Sequence, residues 1–370
     1  MSRSGAHAED GANLGDEHDT GGVRPAAATG LVTFGELLVR LGPKRGLRFE
    51  QASALELGYG GAEANVAVSA ARLGARSRFV TRLPRNALGR LGERTLRGLG
   101  VDTTYWVQGG ERIGLYFAEF GVAQRPSRVE YDRVGSGMAT IAPGSVPWGE
   151  AFSGFTWFHT TGITPALSSS AAAATLEAAD CARSAGLTVS VDLNYRATLW
   201  KGLALRDVMS ELVGLADVLF GNEEDLKNVF DITVPLADQD GAPPEPKAYA
   251  PACAEVLARF SNLKLVALTI RGSLSASDNL WSGVLGSRDG FYTTRTYHVT
   301  PIVDRIGVGD AFAAAAIFKL MKECQSYQAV LEFAVAASCL KHSVWGDFNL
   351  VEVQEIEDLA DGDQRGRIVR

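Results

Sequence analysis

Long hydrophobic runs, clustered cysteines and an excess of basic residues are all missing from this sequence of 370 residues. No apolar run approaches the roughly 20 residues of a membrane-spanning helix, so we expect no membrane partner. The 36 Lys and Arg against 43 Asp and Glu give a net charge of −7. That balance argues against a nucleic-acid-binding protein, which needs a basic patch to neutralise phosphates. The 41 glycines and 13 prolines follow no repeating triplet, which excludes a collagen-like fibre.

The few cysteines and the first residues of the chain are informative about the compartment. Cys181, Cys253, Cys324 and Cys339 are far apart and form no CxxC pair, which argues against a disulfide framework or a zinc site. Residues 1–30 lack the apolar core of a secretory signal and are too acidic for a transit peptide. Their low hydrophobicity predicts a disordered acidic tail. We therefore predict a cytoplasmic protein.

Strand and helix patterns alternate along residues 31–370. The composition, with 46% hydrophobic and 21% charged residues, is that of an ordinary globular protein. Strands are predicted at 31–36, 77–81, 157–160, 187–193, 218–220 and 265–269, and helices at 63–73, 88–99, 169–185, 207–215, 223–230, 251–260, 311–321 and 329–341. This alternation predicts one α/β domain with a doubly wound, mostly parallel sheet flanked by helices.

Two segments interrupt the alternation. Residues 48–57 alternate apolar and polar side chains like a half-buried strand, and residues 113–133 read as a β-hairpin around a loop at 121–126. Segments 48–58 and 113–133 are expected to form a small β-sheet beside the main one. Because ligands of doubly wound sheets bind at the carboxyl ends of the strands, such a sheet would act as a lid. Residues 237–250, with three prolines, are predicted to be a linker or surface loop.

The sequence DRIGVGDAF at 304–312 leads directly into an apolar helix. Two glycines before a helix leave backbone N–H groups free to converge on an anion, and the helix dipole adds to them. Asp310 would repel a bound phosphate, but a carboxylate there makes sense if it accepts a proton while the N–H groups hold negative charge. The alternative from spacing alone is a tight turn at Gly309 with Asp310 capping the helix.

A second glycine-rich turn, GYGGAEAN at 58–65, lies between a strand and a helix. Gly60 and Gly61 allow a ligand to approach the backbone, and Asn65 can hydrogen-bond a hydroxyl. The turn is neither a dinucleotide fingerprint nor a P-loop, because the third glycine and the Gly-Lys-Ser/Thr sequence are missing. In isolation, a plain glycine turn before an amphipathic helix would be the better interpretation.

Together, the two motifs resemble the two signature regions of the ribokinase-like (PfkB-type) carbohydrate kinases. The resemblance covers the chain from about Leu31 to its end. Within that family the sequence is most similar to the 2-keto-3-deoxygluconate kinases, through five segments in the right order. These are YGGAEAN at 59–65, YDR at 131–133, HTTGITPAL at 159–167, DLNYR at 192–196, and SCLKH with GDFNL at 338–350.

The resemblance implies a role for each matching residue. Asp310 would accept the proton of the sugar hydroxyl, and the backbone N–H groups of Gly307, Val308 and Gly309 would form the anion hole. The groups that would hold the sugar acid are Gly61, Asn65, Tyr116, Tyr131, Arg133 and Arg196. The nucleotide would contact Asn222, Arg271, Gly272, Gly307, Gly309, His342 and Asn349. Asn222 and Asp225 would reach magnesium through water.

The resemblance also implies cofactors and partners. They are ATP, Mg²⁺ and a sugar acid, with a monovalent cation such as K⁺ as a further cofactor to test. Three positions depart from the family pattern: Val308 where a small residue is usual, Asp225 in place of the longer Glu, and Ser275 in place of the second glycine of the nucleotide loop. None removes a group that the chemistry needs.

Physical reasoning agrees with a kinase that acts on an acidic sugar. Phosphoryl transfer needs mainly positioning and charge stabilisation, and Arg133 and Arg196 are candidates to bind a carboxylate bidentately. Without the neighbouring tyrosine pattern, a solvent-facing Arg133 and a surface ion pair of Arg196 would be the better interpretations. An exposed edge or apolar face of the small sheet would favour a dimer or larger homo-oligomer.

The resemblance therefore implies ATP-dependent phosphorylation of 2-keto-3-deoxygluconate to 2-keto-3-deoxy-6-phosphogluconate. The alternatives are a kinase of the same fold for fructose, tagatose phosphate, another keto-deoxy sugar acid or a nucleoside, and a sugar-binding regulator with little turnover. Asp310 argues against the regulator, because a pure binding protein has no need of a carboxylate at an anion hole. A dehydrogenase is disfavoured by the missing glycine fingerprint.

Overall fold

The computed structural model describes residues 29–200, 204–234, 243–322 and 326–362. The predicted disordered tail lies almost entirely outside the described residues, as does Cys324. The remaining three cysteines are free.

The strands of the described residues follow the predicted alternation with helices. In chain order they are β1 (Gly30–Phe34), β2 (Leu38–Gly42), β3 (Glu56–Gly60), β4 (Arg76–Val80), β5 (Arg82–Leu83), β6 (Val107–Gln108), β7 (Gly114–Glu119), β8 (Arg128–Asp132), β9 (Trp157–Thr161), β10 (Thr188–Asp192), β11 (Val218–Gly221), β12 (Leu265–Ser275), β13 (Asp278–Ser287), β14 (Phe291–Thr293) and β15 (Tyr297–Val299).

The helices agree with the predicted ones to within about three residues at either end, and two were missed. They are α1 (Ala62–Arg72), α2 (Ala87–Gly98), α3 (Trp148–Ala151), α4 (Ser169–Ser184), α5 (Leu205–Gly214), α6 (Glu223–Phe230), α7 (Ala250–Arg259), α8 (Val308–Met321), α9 (Tyr327–Lys341) and α10 (Val353–Ala360). The missed helices are the short α3 and the near-terminal α10. None of the helices in the described part of the chain is long and apolar enough to cross a membrane.

The main sheet has the order β14-β13-β12-β11-β10-β9-β1-β4, with β15 also paired to β13. From β4 to β12 every neighbouring pair is parallel, and β13, β14 and β15 complete the sheet in antiparallel pairing. The mostly parallel sheet predicted from the alternation is therefore confirmed.

Helices cover both faces of the main sheet because side chains alternate across each strand. On β1, Val32 and Phe34 pack into the core that includes α4, α5, α6 and α7. Leu31, which precedes them on the same strand, packs into the core on the other face, with α1, α8, α9 and α10. The apolar helix α8 lies in this second core, and nearly all its side chains are buried.

A smaller sheet stands beside the main one, in the order β3-β2-β7-β8. The predicted hairpin within 113–133 is confirmed as the antiparallel pair β7 and β8. The predicted strand over 48–57 is wrong for most of its length. Phe49–Gln51 is a 3₁₀ helix, because Gln51 Oε1 accepts the Arg48 N–H and caps that turn, and the strand begins only at Glu56.

The predicted surface loop 237–250 is more ordered at its end than its prolines suggest. Pro246–Tyr249 is a 3₁₀ helix, and the Tyr249 side chain is fully buried in the core under α7. Residues 237–242 lie outside the described part.

Candidate active site

A cleft of about 550 Å³ lies between the small sheet and the carboxyl ends of the parallel strands. The structure brings together most residues that the sequence analysis singled out, from segments more than 200 positions apart. Those that line the cleft are Gly61, Asn65, Tyr116, Tyr131, Arg133, Arg196, Asn222, Asp225, Arg271, Gly307, Val308, Gly309, Asp310 and His342.

The turn before α8 has the geometry of an anion hole. Gly307 is the N-cap of α8 with φ +82°, and a Cβ there would lie 2.1 Å from the Asp347 carbonyl oxygen, so only glycine fits. Among the described residues, the N–H groups of Gly307, Val308 and Gly309 have no hydrogen-bond partner. Free N–H groups and the helix dipole there favour a bound anion.

Asp310 lies in the first turn of α8 and faces the cleft while being only 8% exposed. Its Oδ2 accepts a hydrogen bond of 2.7 Å from Asn65 Nδ2. Burial raises the pKa of Asp310 to about 7, with Glu63 and Asp347 adding negative charge nearby and the Asn65 bond opposing the rise. A carboxylate with that pKa can accept a proton near neutral pH.

Gly61 and Asn65 shape the cleft beside Asp310. Gly61 has φ +148°, and a Cβ on it would lie 2.1 Å from the Glu36 carbonyl oxygen. Asn65 is held at the start of α1, where its N–H donates to Gly61 O at 2.7 Å. Its Oδ1 is buried and has no partner among the described residues. An unpaired amide oxygen in such a place can accept a hydrogen bond from a ligand hydroxyl.

A buried charge cluster that no sequence pattern indicated lies behind the cleft. Arg40 of β2 donates to Asp304 Oδ2 and to Asp347 Oδ1, each at 2.7 Å. The Tyr116 hydroxyl donates to the same Asp347 carboxylate. Asp304 in turn accepts the Ile306 N–H at 2.9 Å. The small sheet is thus tied to the loop that carries the anion hole.

Arg133 differs from the expectation that it is a free cation. Its Nε donates to Glu36 Oε2 at 2.7 Å, and its Nη2 donates to the same oxygen. The Ser136 hydroxyl occupies the other Glu36 oxygen. Both charged side chains are buried, so Glu36 already compensates the positive charge of Arg133. Arg133 is therefore neither a solvent-facing arginine nor an unpaired cation waiting for a ligand carboxylate.

Arg196 and Tyr131 keep the properties expected of ligand contacts. Arg196 is exposed at the cleft mouth, forms no ion pair among the described residues, and is oriented by a 2.9 Å bond from Nη1 to the Tyr195 carbonyl. Its positive charge lowers the pKa of Asp310 against the larger effect of burial. Tyr131 is half exposed, with its ring centroid 5.8 Å from that of Tyr116.

Acidic groups gather where β10 and β11 end. The Asn222 Oδ1 accepts the Asp225 N–H at 3.0 Å, and Asp225 Oδ2 accepts the Asn222 N–H at 3.1 Å, so the pair caps α6. Burial raises the pKa of Asp225 to about 6. Burial also raises the pKa of Asp192 well above its usual value, and the charges of Asp225 and Asp310 add to the rise.

The oxygen donors of Asn222 and Asp225 suit a hard cation that is held mainly by substrate phosphates and water. In the part of the chain that the structure describes, no three His, Cys, Asp or Glu side chains form a metal site. Magnesium, however, is commonly bound by one or two carboxylates together with substrate phosphates and water. Oxygen donors from Asn222 and Asp225 at the cleft wall fit that mode.

Two predicted nucleotide contacts lie elsewhere. Asn349 is buried outside the cleft lining, where its Nδ2 donates to Ser69 Oγ and its Oδ1 accepts the Val351 N–H. Gly272 is buried in β12 opposite Leu280 and is also absent from the lining. His342 does face the cleft, and burial lowers its pKa to about 4, so it is neutral at physiological pH.

Comparisons with known proteins agree with the geometry. The family model described as pfkB family carbohydrate kinase matches residues 28–349. The 2-dehydro-3-deoxygalactonokinase of Haloferax volcanii is 35% identical over 336 residues, covering 91% of this chain and 98% of that protein.

Solved structures show the same similarity. The crystal structure of 2-dehydro-3-deoxygluconokinase from Thermotoga maritima matches with a TM-score of 0.85 and 41% identity, over 90% of this chain and 100% of that one. Fructokinase with bound ATP from Xylella fastidiosa shares the fold, with a TM-score of 0.71 and 22% identity over 90% of this chain and 98% of that one.

Proposed function

Because this chain belongs to the pfkB family of carbohydrate kinases, we propose that it phosphorylates 2-keto-3-deoxygluconate at the terminal hydroxyl, with ATP as the donor. The product would be 2-keto-3-deoxy-6-phosphogluconate. The observation that carries the proposal is Asp310, a buried carboxylate with a raised pKa beside the unpaired N–H groups of residues 307–309. The Thermotoga maritima relative is named after the same substrate, under its synonym 2-dehydro-3-deoxygluconate.

Each part of the reaction has a group to support it. The hydroxyl oxygen of the sugar attacks the terminal phosphorus, its proton passes to Asp310, and the bond to the ADP oxygen breaks. The N–H groups of residues 307–309 stabilise the negative charge on the transferring phosphoryl group. Asn65 holds the Asp310 carboxylate at 2.7 Å and offers its free Oδ1 to a sugar hydroxyl.

Kinases of this family use ATP and Mg²⁺. Bound magnesium would neutralise phosphate charge, and Asn222 and Asp225 would hold it through water. Burial and neighbouring carboxylates raise the pKa of Asp192, so a divalent cation at this wall would relieve the repulsion between these acids.

A sugar acid is favoured over a neutral sugar by Arg196, although Asp192, Asp225 and Asp310 are near enough to feel its charge. Its guanidinium lines the cleft and forms no ion pair among the described residues. The test is a coupled ADP-release assay with 2-keto-3-deoxygluconate, its galactonate epimer, fructose and a nucleoside. Preference for fructose or a nucleoside would replace the substrate and leave the kinase reaction standing, whereas no ADP release with any of them would contradict the kinase.

Activity should depend on pH through Asp310. The base works only when deprotonated, and burial raises its pKa to about 7. We therefore expect kcat/KM to rise with pH and to level off above about pH 8. A titration of kcat/KM from about pH 5.5 to about pH 9, with ATP affinity measured at each point, checks this. A flat profile across neutral pH would contradict it.

The small sheet is proposed to be a lid. The loop of its hairpin reaches the turn between β12 and β13, where Ala276 N donates to Ala123 O at 2.8 Å and Ala123 N donates to Ser277 Oγ at 3.1 Å. If these contacts hold a closed state, sugar should slow amide exchange in β7 and β8 by about tenfold. Strand β10 in the main sheet is the internal control. Unchanged exchange in β7 and β8 at saturating sugar would reject the lid.

Three further expectations remain proposals. A homo-oligomer is supported by β8, an edge strand that is exposed along its whole length. A cytoplasmic location accords with the use of ATP. A role for a monovalent cation such as K⁺ can be tested by measuring activity in its presence and absence. The carboxylates Asp304 and Asp347 are not free to bind it, because both already pair with Arg40.

A further inference from the structure

Two arginines face the nucleotide side of the cleft without a carboxylate to pair with. Arg271 lies on β12 and Arg305 lies two residues before the anion-hole turn, and both line the cleft. Neither forms an ion pair among the described residues, whereas the buried arginines Arg40 and Arg133 each pair with carboxylates. The cleft therefore presents two guanidinium groups that form no ion pair with any described carboxylate.

The two guanidinium groups also act on each other. Burial lowers the pKa of Arg305 and the positive charge of Arg271 lowers it further, while the negative charge of Asp304 opposes the shift. Asp304, the adjacent acid, is bonded to Arg40. Glu223 is close enough to Arg271 for that arginine to lower its pKa, although burial has the larger, opposite effect and the two form no ion pair. Two like charges kept together in this way favour a ligand of multiple negative charge.

The side chain of Arg305 is held in place. Its Nη2 donates to the carbonyls of Ser275 at 3.1 Å and Ala276 at 2.8 Å, in the turn between β12 and β13. Its Nε and Nη1 have no hydrogen-bond partner in the described part of the chain. A guanidinium fixed at one nitrogen and free at two others is preorganised to bind phosphate oxygens.

We propose that Arg305, together with Arg271, binds the terminal phosphates of the nucleotide. The inference rests on the proposed kinase function and adds to it a phosphate clamp on the turn that lacks the second glycine, at Ser275. Both arginines line the same cleft as residues 307–309 and Asp310, and Arg196 is close enough to Asp310 to lower its pKa. A polyphosphate can neutralise both arginines, while a single carboxylate cannot.

Calorimetric titration without sugar tests the clamp. ATP, ADP and adenosine are titrated into the wild-type chain and into Arg305→Leu and Arg305→Lys. The Leu variant should bind ATP about ten- to a hundredfold more weakly and adenosine equally well, and the Lys variant should recover part of the ATP affinity. Arg112→Leu is the matched control, since Arg112 pairs with Asp132 on the exposed surface and should bind ATP like the wild type.

The outcomes separate the clamp from its rivals. An equal loss of affinity for adenosine and for ATP would mean that Arg305 only stabilises the turn between β12 and β13. Unchanged ATP affinity would exclude a phosphate contact. A higher KM for the sugar acid at unchanged ATP affinity would assign Arg305 to the sugar. Each of these overturns the clamp. Inorganic pyrophosphate titrated alone should bind the wild type more tightly than Arg305→Leu, which attributes the binding to phosphate alone.

Two further cases are an Arg305→Leu variant that does not fold and a wild-type chain that binds no ATP. If Arg305→Leu fails to fold, Arg271→Leu carries the same test, because Arg271 is exposed and its side chain makes no hydrogen bond among the described residues. A wild-type chain that binds no ATP would contradict the kinase function itself, whereas a wild-type chain that binds ATP with no effect of either arginine contradicts the clamp alone.

Discussion

Replacing Asp310 with Asn should lower kcat by roughly 10²–10⁴ with nucleotide binding retained. An amide at this position can still accept the hydrogen bond from Asn65 Nδ2, so its place at the start of α8 is kept. It cannot take the proton of the sugar hydroxyl. The sugar oxygen would then have to attack while still protonated, and this raises the barrier of the chemical step alone.

The thermal stability of Asp310→Asn distinguishes a loss of catalysis from a loss of folding. The raised pKa of Asp310, to about 7, means that the folded chain disfavours the ionised carboxylate. That group makes folding less favourable as pH rises from the ordinary aspartate pKa toward 7, and the penalty remains above it. The neutral amide of the Asp310→Asn variant removes this penalty, so at about pH 8 the variant should unfold at the same or a higher temperature than the wild type. Near-normal turnover by a folded variant would remove Asp310 from the mechanism.

The local motifs of the site could be predicted from the sequence because each is built from neighbouring residues. Gly307 before α8 and Gly61 before α1 have positive φ and leave no room for a side chain, so a glycine at each of these positions reports the shape of the turn directly. Asp310 and Asn65 sit about one helical turn or less beyond those glycines. Their meeting across 245 positions followed from the family resemblance.

The buried charge cluster could not be predicted in this way. Arg40 contacts Asp304 and Asp347, which are 264 and 307 positions away. No local pattern marks an arginine in a short apolar strand as the partner of two distant carboxylates. The ion pair of Arg133 could not be predicted for the same reason, because its partner Glu36 lies 97 positions earlier, just after the end of β1.

The missed strand β13 shows how tertiary packing can hide a secondary structure. Gly283 and Gly286 weaken its strand pattern, yet both positions require glycine. A Cβ on Gly283 would lie 2.8 Å from Val335 Cγ2 in α9, and one on Gly286 would lie 2.8 Å from Cys253 Cβ in α7. The glycines let two helices approach the sheet, and that need is visible only when the helices are in place.

The substrate class depends on Arg196 more than the sequence indicated, because Arg133 is already paired with Glu36. Arg196→Leu should lower kcat/KM for 2-keto-3-deoxygluconate by about one to two decades, the expected loss of a charge-assisted contact of roughly 1.5–3 kcal/mol. Arg196→Lys keeps the charge but loses the planar guanidinium, so its kcat/KM should lie between those of the wild type and Arg196→Leu. ATP affinity should not change.

Arg133→Leu provides the contrast. It leaves Glu36, which is 2% exposed, without its cation, and removing one partner of a buried pair costs roughly 3–5 kcal/mol of stability. Arg133→Leu should therefore lower the unfolding temperature with or without sugar, whereas Arg196→Leu, at an exposed position, should leave it unchanged. Steady-state kinetics with the sugar acid and with fructose then decide the role of Arg196. A proportional loss for both sugars would mean that Arg196 serves the transferring phosphoryl group near Asp310, and only a loss confined to the acid would support its contact with the sugar carboxylate.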